Sequence, residues 1–445
     1  MSETKETQHS KEDQLPLYLF TYNCNKQVIE NNSFKSKVAE SLPDTPSLLY
    51  VFAFQEFCSI LDGSFKDLSN QQLISYNETI QVMLFEKYGM DCFQTLAMNH
   101  IGSIGLIVLS PFAPRFSNIR TATSSVGYGY SSMKGGVGIR LKYSPDNMKS
   151  VELSFAGIHL NAFEGEYYYQ QRNQNLLTIM RSLEFGDGFG LIKPNNHIFI
   201  MGDLNYRTTQ NYKKTSVVTQ NLLALADQHS TIDGEYVHQL FSQYDELHKG
   251  LKNGEVLLGF SEGKIEFQPT YKYYINTAIF NSKRSPSWCD RILFLSTYED
   301  GEHLNLLRTN LIHSLPVIDK YDSVNSLLLS DHRPVYLRIS VPFKPPKSII
   351  SPMSRCLEIV STGLSQQSRF SNFGQLEEIE RDNYIESGPT SIYLKPTKWD
   401  FFTNKVITHL SDNIIGYGLW LGTTAEGRML SFMSVLFLVA LWYLW

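Results

Sequence analysis

The chain has 445 residues, of which 42% are hydrophobic and 19% charged, and its formal net charge is −5. This composition excludes a globally disordered chain and allows a large hydrophobic core. Proteins that bind nucleic acids normally carry a basic surface, so the acidic balance argues against nucleic acid as a partner.

The predicted elements alternate between strands and helices. Residues 1–16 are polar and predict a flexible leader. Runs rich in Ile, Val, Leu, Tyr and Phe predict strands, and amphipathic stretches predict helices. The predicted strands are 15–23, 47–55, 104–110, 135–143, 151–160, 197–203, 291–296 and 335–341, and the predicted helices are 26–41, 70–88, 166–184 and 212–228. The alternation indicates one α/β domain over 17–343, with mixed sheets flanked by helices.

The amino-acid composition changes after this domain. Ser, Gln, Asn and Pro dominate 347–397, which predicts a largely disordered linker over 344–413, with at most a short helix within 398–413. Residues 414–445 predict a membrane anchor, because the stretch 429–445 has no charged residue and would span about 25 Å as a helix. A buried core helix is the alternative, but it should show a polar face.

The expected membrane is that of the endoplasmic reticulum, since the span is short. With the anchor at the C-terminus, the folded domain is expected to face the cytosol. The five cysteines show no C-x-x-C spacing, which fits a reduced compartment better than a disulfide framework or a zinc site.

Polar side chains stand at the ends of three predicted strands, in GDLNYR (202–207), PSWCDRILF (286–294) and LSDHRPVYL (329–337). Polar groups at strand ends, supplied by distant segments, are how α/β sheets usually assemble active sites. The pattern indicates a metal-assisted phosphoryl-transfer site.

The residue types suggest roles. Asp203 can orient and deprotonate a water, and Asn205 can donate to a phosphoryl oxygen or to the metal shell, although an Asx turn would also explain both. A protonated His332 can stabilise phosphoryl charge if a carboxylate orients it, and Asp290 is the best candidate for that carboxylate. His159, in FAGIHLNAF, is a further imidazole that could contact the phosphate.

Two weaker candidates concern a metal. Glu56 follows a predicted strand, and a carboxylate there suits Mg²⁺, which prefers hard oxygen ligands. Asn23 also stands at a strand end, where Asn most often forms a turn. Several cations accompany the acidic residues and suit a substrate with more than one phosphate, unless they are ordinary solvated charges. These cations are Lys134, Arg140, Lys272, Lys283 and Arg284.

Together, the strings TYN, FQE, KGGVGIR, GIHLNAF, GDLNYR, PTYKY, PSWCDRIL and SDHRPV occur in the order found in inositol polyphosphate 5-phosphatases, and the chain resembles that family from about Leu17 to Phe343. With the apolar tail, it resembles the fungal type that is anchored to membranes at the C-terminus. The resemblance implies a four-layer α/β sandwich of the deoxyribonuclease-I-like endonuclease/exonuclease/phosphatase superfamily, and Mg²⁺-dependent removal of the 5-phosphate from phosphoinositides.

The resemblance also implies residue roles. Glu56 would hold the metal with Asn23 nearby and Asp331 close, Asp203 would position the water and Asn205 the phosphoryl group. His332, paired with Asp290, would stabilise the transition state. Tyr271, Lys272 and Arg284 fall where the family grips the 4-phosphate.

Three departures from the family pattern concern the grip on the substrate. Met133 replaces an amide beside Lys134, Lys283 stands one place out of register, and Phe163 replaces a histidine.

The expected reaction is in-line attack of water on the 5-phosphorus of phosphatidylinositol 4,5-bisphosphate. The 3,4,5-trisphosphate lipid and soluble inositol phosphates are the alternative substrates. A sphingomyelinase or nuclease of the same fold, or a catalytically silent phosphoinositide-binding scaffold, is the alternative function. Protein partners are not indicated by the sequence.

Overall fold

A computed structural model describes residues 14–29, 32–145, 149–193, 196–208, 234–257, 260–281, 283–295, 316–343, 356–359, 390–393 and 395–444. Its centre is a pair of six-stranded mixed sheets. The first contains β1 (Gln14–Asn23), β2 (Leu49–Gln55), β3 (Gln94–Ile101), β4 (Ile104–Ser110), β11 (Val317–Ser323) and β12 (Val335–Pro342). The second contains β5 (Phe116–Ser125), β6 (Gly135–Tyr143), β7 (Val151–His159), β8 (Asn196–Asp203), β9 (Phe260–Glu262) and β10 (Asp290–Leu295). A separate two-stranded sheet pairs β13 (Cys356–Ile359) with β14 (Thr390–Tyr393).

The strand order is β11–β12–β1–β2–β4–β3 in the first sheet and β5–β6–β7–β8–β10–β9 in the second. Side chains alternate along each strand, so every strand serves two layers. In β1, Leu17 and Leu19 enter the core between the sheets, whereas Tyr18 and Phe20 enter a second core under helices. The two sheets are therefore the inner layers of a sandwich.

Helices form the two outer layers. Ile60–Gly63, Asn32–Ala39 and Lys66–Tyr88 lie on the side of the first sheet, and the last two pack on the outward side chains of β1 and β2. Glu166–Ser182 and Glu246–Lys252 pack on the outer face of the second sheet, while Gly234–Tyr244 closes one end of the central core. This confirms the predicted four-layer sandwich.

All eight predicted strands are present, with ends within two residues of those expected. The predicted helix 26–41 is shorter, and the predicted helix 212–228 lies outside the described residues. The sequence did not indicate β3, β5, β9 or β11.

The strand pairing brings distant residues to one edge of the sandwich. β7 and β8 run parallel and end with His159 opposite Asp203. β10 runs antiparallel to β8 and begins with Asp290 opposite the same Asp203. In the first sheet, the parallel strands β1 and β2 end with Asn23 opposite Gln55, and β12, antiparallel to β1, begins just after His332. Six segments therefore converge at this edge.

The C-terminal region continues as helix Lys398–Phe402, a π-helical segment Thr403–Ile407, helix Thr408–Thr423 and helix Ala425–Leu444. Its first part packs on the α/β domain. The Asp400 carboxylate accepts two hydrogen bonds from Arg181, of 2.9 and 2.7 Å, and Asp412 accepts one of 2.8 Å from the Ser132 amide.

This packing differs from the expectation of a linker that extends to 413. Four polar residues of this segment bind polar groups of the folded domain, namely Asp400, Asn404, Ser411 and Asp412. Most of the predicted linker, 344–397, lies outside the described residues.

The last helix is long and apolar enough to cross a membrane. Its span Ala425–Tyr443 has a mean hydropathy of 1.4, and 6% of it is buried within the protein. It begins four residues before the predicted span.

Candidate active site

Asp203 is at the centre of the converged edge and is 1% exposed. Asn23 Nδ2 donates to its Oδ2 at 2.9 Å, and the backbone amide of Asn205 donates to its Oδ1 at 3.0 Å. Two imidazoles face the same Oδ2, with His159 Nε2 at 3.4 Å and His332 Nε2 at 3.8 Å. A buried carboxylate with this many donors is held in one orientation.

Charge keeps Asp203 ionised. Burial alone would raise its pKa, but His332, His159 and Lys134 outweigh burial and hold the pKa of Asp203 well below its usual range. A carboxylate with a low pKa is a weak base, so it is better suited to orienting a water than to deprotonating it strongly.

His332 and Asp290 form a buried pair. His332 Nδ1 lies 2.8 Å from Asp290 Oδ2, and the Thr270 hydroxyl donates to the same oxygen at 2.7 Å. Burial would lower the pKa of His332, but Asp290 and Asp203 outweigh it and raise this pKa to about 9. His332 is therefore an imidazolium at neutral pH, with Nε2 turned toward Asp203.

A cation approaches from the opposite side. Lys134 Nζ contacts His159 Nε2. Burial lowers the pKa of Lys134 to about 8, against the opposing charges of Asp203 and Glu56. Burial and the Lys134 charge together lower the pKa of His159, which favours a neutral imidazole beside the lysine.

Glu56 lies close enough to this cation to act on it electrostatically, since its carboxylate opposes the lowering of the pKa values of both Lys134 and His159. Its backbone adopts a left-handed conformation, with φ at 48°, and its carbonyl accepts a 2.7 Å hydrogen bond from the Lys26 amide. The residue is therefore fixed where β2 ends.

The carboxylates of Asp203 and Asp290 fit a hard divalent cation, with the protonated His332 beside them. Single ligand atoms of Asp203, Asp290 and His332 lie within 4.8 Å of one another. Asp290 Oδ1 is buried and, among the described residues, has no hydrogen-bond partner. A buried carboxylate oxygen without a partner is costly unless an ion or a water satisfies it.

The predicted metal ligands Glu56, Asn23 and Asp331 are not in this trio. Asn23 uses its amide on Asp203, and Asp331 accepts a 2.5 Å hydrogen bond from Lys272. Which residues ligate a metal stays a prediction.

The predicted substrate-binding residues are only partly gathered. The Tyr271 ring lies 4.5 Å from the His332 ring, between centroids. Lys272 pairs with Asp331, and this pairing outweighs burial to raise the pKa of the lysine. Lys283 is exposed and Arg284 half-buried, and no described hydrogen bond or ion pair joins either side chain to the carboxylates.

Arg140 has a different role from the one expected. It is fully buried, pairs with Asp187 at 2.9 Å and donates to the carbonyls of Gly190 and Leu191. It stabilises the packing of the second sheet far along β6 from the converged edge, because a guanidinium can satisfy several buried acceptors at once.

Asn205 is held by its own surroundings. Its Nδ2 donates to the Leu160 carbonyl at 3.0 Å, and its Oδ1 accepts from Arg207. One amide hydrogen remains for another acceptor.

Three residues of the site received no role from the sequence. Thr270 orients Asp290, Arg207 lies over the Tyr271 ring at 4.4 Å and binds Asn205, and Ser330 donates to the Asn23 carbonyl while accepting from the His332 amide. All three belong to strings already singled out. The signal in the sequence that could have found them was the presence of two small hydroxyls and one cation within these motifs.

The chain matches Endonuclease/Exonuclease/phosphatase family 2 over residues 20–338. It is 26% identical over 320 residues to type I inositol polyphosphate 5-phosphatase 1 of Arabidopsis thaliana, covering 69% of this chain and 45% of that protein. It is 28% identical over 346 residues to inositol-1,4,5-trisphosphate 5-phosphatase 1 of Schizosaccharomyces pombe, covering 75% and 28%. These matches confirm the resemblance to inositol polyphosphate 5-phosphatases, although the chain spans less than half the length of these relatives.

Solved structures share the fold. The inositol polyphosphate 5-phosphatase domain of spSynaptojanin, in complex with inositol (1,4)-bisphosphate and calcium ion, has a TM-score of 0.54 at 23% identity, covering 76% of this chain and 89% of that one. A ferrous NO complex of Cimex nitrophorin has a TM-score of 0.52 at 19% identity, covering 74% and 99%. The fold therefore hosts different functions, and function must be argued from the site.

Proposed function

The chain belongs to Endonuclease/Exonuclease/phosphatase family 2, and we propose that it is a Mg²⁺-dependent phosphoinositide 5-phosphatase. Its reaction is hydrolysis of phosphatidylinositol 4,5-bisphosphate to phosphatidylinositol 4-phosphate. The observation that supports the proposal most is the convergence of Asp203 with the His332–Asp290 pair, because one polar side-chain atom of each residue lies within 4.8 Å of the other two.

The reaction is in-line attack of water on the 5-phosphorus, without a covalent enzyme intermediate. The ionised Asp203 orients the water, and the free amide hydrogen of Asn205 binds a phosphoryl oxygen. The imidazolium of His332 stabilises the charge that develops on the phosphoryl oxygens, and Asp290 keeps it in position. His159 and Lys134 face the same region from the side of the second sheet.

A divalent cation suits the acidic edge. Asp203 and Asp290 supply carboxylate oxygens, and Glu56, Asn23 and Asp331 stand at the neighbouring strand ends. Bound Mg²⁺ would supply Lewis-acid stabilisation of the phosphoryl charge and of the leaving alkoxide.

The second phosphate of the substrate is assigned to a cationic rim. Tyr271 and Lys272 lie beside His332, and Lys283 and Arg284 stand on the loop that precedes β10. Arg side chains recognise phosphate oxygens in a bidentate manner. We assign the 4-phosphate to this rim, with Lys134 on the opposite side of the reacting phosphate.

The C-terminal helix favours a lipid substrate. A protein anchored by Ala425–Tyr443 works at the surface where the headgroups lie, which raises the effective concentration of its substrate. We place the anchor in the endoplasmic reticulum membrane, with the catalytic domain in the cytosol.

The test is release of phosphate from a panel of phosphoinositides and soluble inositol phosphates, with Mg²⁺ and with a chelator. The expected result is Mg²⁺-dependent turnover of lipids that carry a 5-phosphate, with phosphatidylinositol 4,5-bisphosphate preferred. Turnover that survives chelation, or activity on DNA or sphingomyelin alone, would contradict the proposal.

A further inference from the structure

The helical region before the membrane span carries an exposed apolar stripe. Its members recur every three, four or seven residues along 398–423, so they lie on one helical face. Their exposed fractions run from 37% at Leu421 to 74% at Ile414. The stripe consists of Trp399, Phe402, Val406, Leu410, Ile414 and Leu421.

The opposite face of this region is already occupied by the α/β domain. Asp400 binds Arg181, Asn404 Nδ2 donates to the Ser182 carbonyl at 3.3 Å, and Gly416 packs against Ser64 and Phe65, where a Cβ would lie 2.9 Å from the Ser64 Cβ. The helix therefore presents its polar face to the protein and its apolar face outward. It cannot rotate to bury the stripe without breaking these contacts.

The stripe is continuous with the candidate membrane span. Only Thr424 separates the two helices, and its backbone amide donates to the Trp420 carbonyl while its hydroxyl accepts from the Gly427 amide. Gly427 lies so close to the preceding helix that a Cβ would be 2.1 Å from the Trp420 carbonyl oxygen. In one continuous helix these residues would be about 10 Å apart along the axis, so the chain turns sharply at Thr424.

We propose that this stripe lies in the boundary between headgroups and acyl chains of the membrane that Ala425–Tyr443 enters, and that it sets the orientation of the catalytic domain on that membrane. The inference rests on the proposed membrane anchor. A sharp corner directly before a span leaves the preceding helix at the level of the membrane surface. Aromatic side chains such as Trp399 and Phe402, flanked by the exposed cations Lys398 and Lys405, suit that boundary.

The same helix is attached to the active-site edge. The Ser411 hydroxyl donates to the Gly129 carbonyl at 2.5 Å, and Asp412 accepts from the Ser132 amide. Gly129 and Ser132 belong to the loop that leads directly into Lys134. A helix held by lipid on one face and by this loop on the other fixes the catalytic edge relative to the headgroups.

The first experiment measures depth directly in the full chain, with Cys92 and Cys356 replaced by Ser. An environment-sensitive fluorophore is attached through Ile414→Cys, or through Val82→Cys as a control, since Val82 is 46% exposed on a helix of the α/β domain. The protein is reconstituted into phosphatidylcholine vesicles. Brominated lipids should quench the label at 414 several-fold more than the label at 82.

Equal, weak quenching at both positions would overturn the proposal. A label at 414 that is shielded from water yet not quenched would also overturn it, because a second copy of the chain or a partner protein would then cover the stripe. This readout does not depend on catalysis, so it separates failure of the orientation from failure of the proposed phosphatase activity.

The second experiment measures catalysis with Leu410→Gln/Ile414→Gln in the same full chain. We expect roughly tenfold slower turnover of phosphatidylinositol 4,5-bisphosphate in the membrane, because the orientation of the edge is lost. Turnover of soluble inositol 1,4,5-trisphosphate should be unchanged, and Val82→Gln should match the parent on both substrates. Unchanged lipid turnover in the double variant would contradict the proposal.

Discussion

The converged edge and the C-terminal helices oppose each other in how they treat water. At the edge, ionisable groups such as Asp203, Asp290 and His332 are almost fully buried, and Asp290 Oδ1 has no hydrogen-bond partner among the described residues. Along 398–444, apolar side chains such as Ile414 and Trp442 are exposed by 74% and 77%. Both arrangements are unfavourable for a domain in water alone. A metal and a phosphorylated substrate would complete the first arrangement, and a lipid bilayer would complete the second.

The largest expected effect comes from breaking the buried edge at its centre. Asp203→Asn keeps the shape of the side chain but removes the charge that faces two imidazoles, so turnover should fall about 10³-fold. Phosphate release under saturating substrate measures it. Asp44→Asn, at a fully exposed carboxylate, is the matched control and should retain parental activity. Near-normal release from Asp203→Asn would remove that residue from the chemistry.

His332 and Asp290, which pair beside Asp203, should act as one unit. His332→Gln and Asp290→Asn should each lower turnover about 100-fold, and the double variant should be no slower than the worse single variant, because each residue works through the other. The comparison is made by single-turnover kinetics. Losses that multiply in the double variant would mean that the two side chains act independently.

A smaller effect is expected at Thr270, which supports the edge through its hydrogen bond to Asp290. Thr270→Val removes the hydroxyl that donates to Asp290 and leaves the buried carboxylate short of a donor, which should cost about 1–2 kcal/mol of stability and slow turnover several-fold. Thermal unfolding and kinetics together check it. Thr178→Val, on the exposed face of a helix, should change neither; equal effects of both variants would show that Thr270 has no special place.

The smallest effect on turnover, and the one that tests the other region, concerns helix docking. Arg181→Ala breaks the bidentate, partly buried pair with Asp400 and should weaken docking of 398–423 by about 1–2 kcal/mol. Hydrogen exchange should become faster in that helix, while turnover of soluble substrates stays unchanged. Lys37→Ala, which breaks an exposed pair with Glu40, should leave exchange in 398–423 as it is. Unchanged exchange in Arg181→Ala would mean that the pair does not hold the helix.

Much of the fold was predictable because buried strands have a simple signature. β4 is apolar, β6 is mostly apolar, both are fully or almost fully buried, and their predicted ends agree with the structure. β3 and β5 were missed since they are partly exposed and carry polar residues among the apolar ones, with β5 rich in Ser and Thr. A strand can thus be predicted from the sequence where both of its faces are covered, whereas an edge strand with a polar face cannot.

The segment 398–413 shows what could not be predicted from the sequence. Asp400, Asn404 and Asp412 suggest a solvated surface in the sequence, but each binds a polar group of the folded domain. Tertiary partners decide such a segment, and they cannot be seen in the local pattern.

The site was predictable as far as strand ends determine it. His159, Asp203 and Asp290 meet because the register of three neighbouring strands aligns them. Arg140 lies outside that logic, since its partner Asp187 is set by a loop. Cations near a motif in sequence therefore need not face its substrate.

The most direct test of the central claim identifies which phosphate leaves. Full-length protein in phosphatidylcholine vesicles is given phosphatidylinositol 4,5-bisphosphate and Mg²⁺, and the lipid product is resolved by headgroup position. We expect phosphatidylinositol 4-phosphate with equimolar free phosphate. Phosphatidylinositol 5-phosphate as the product, or intact substrate at all metal concentrations, would contradict it.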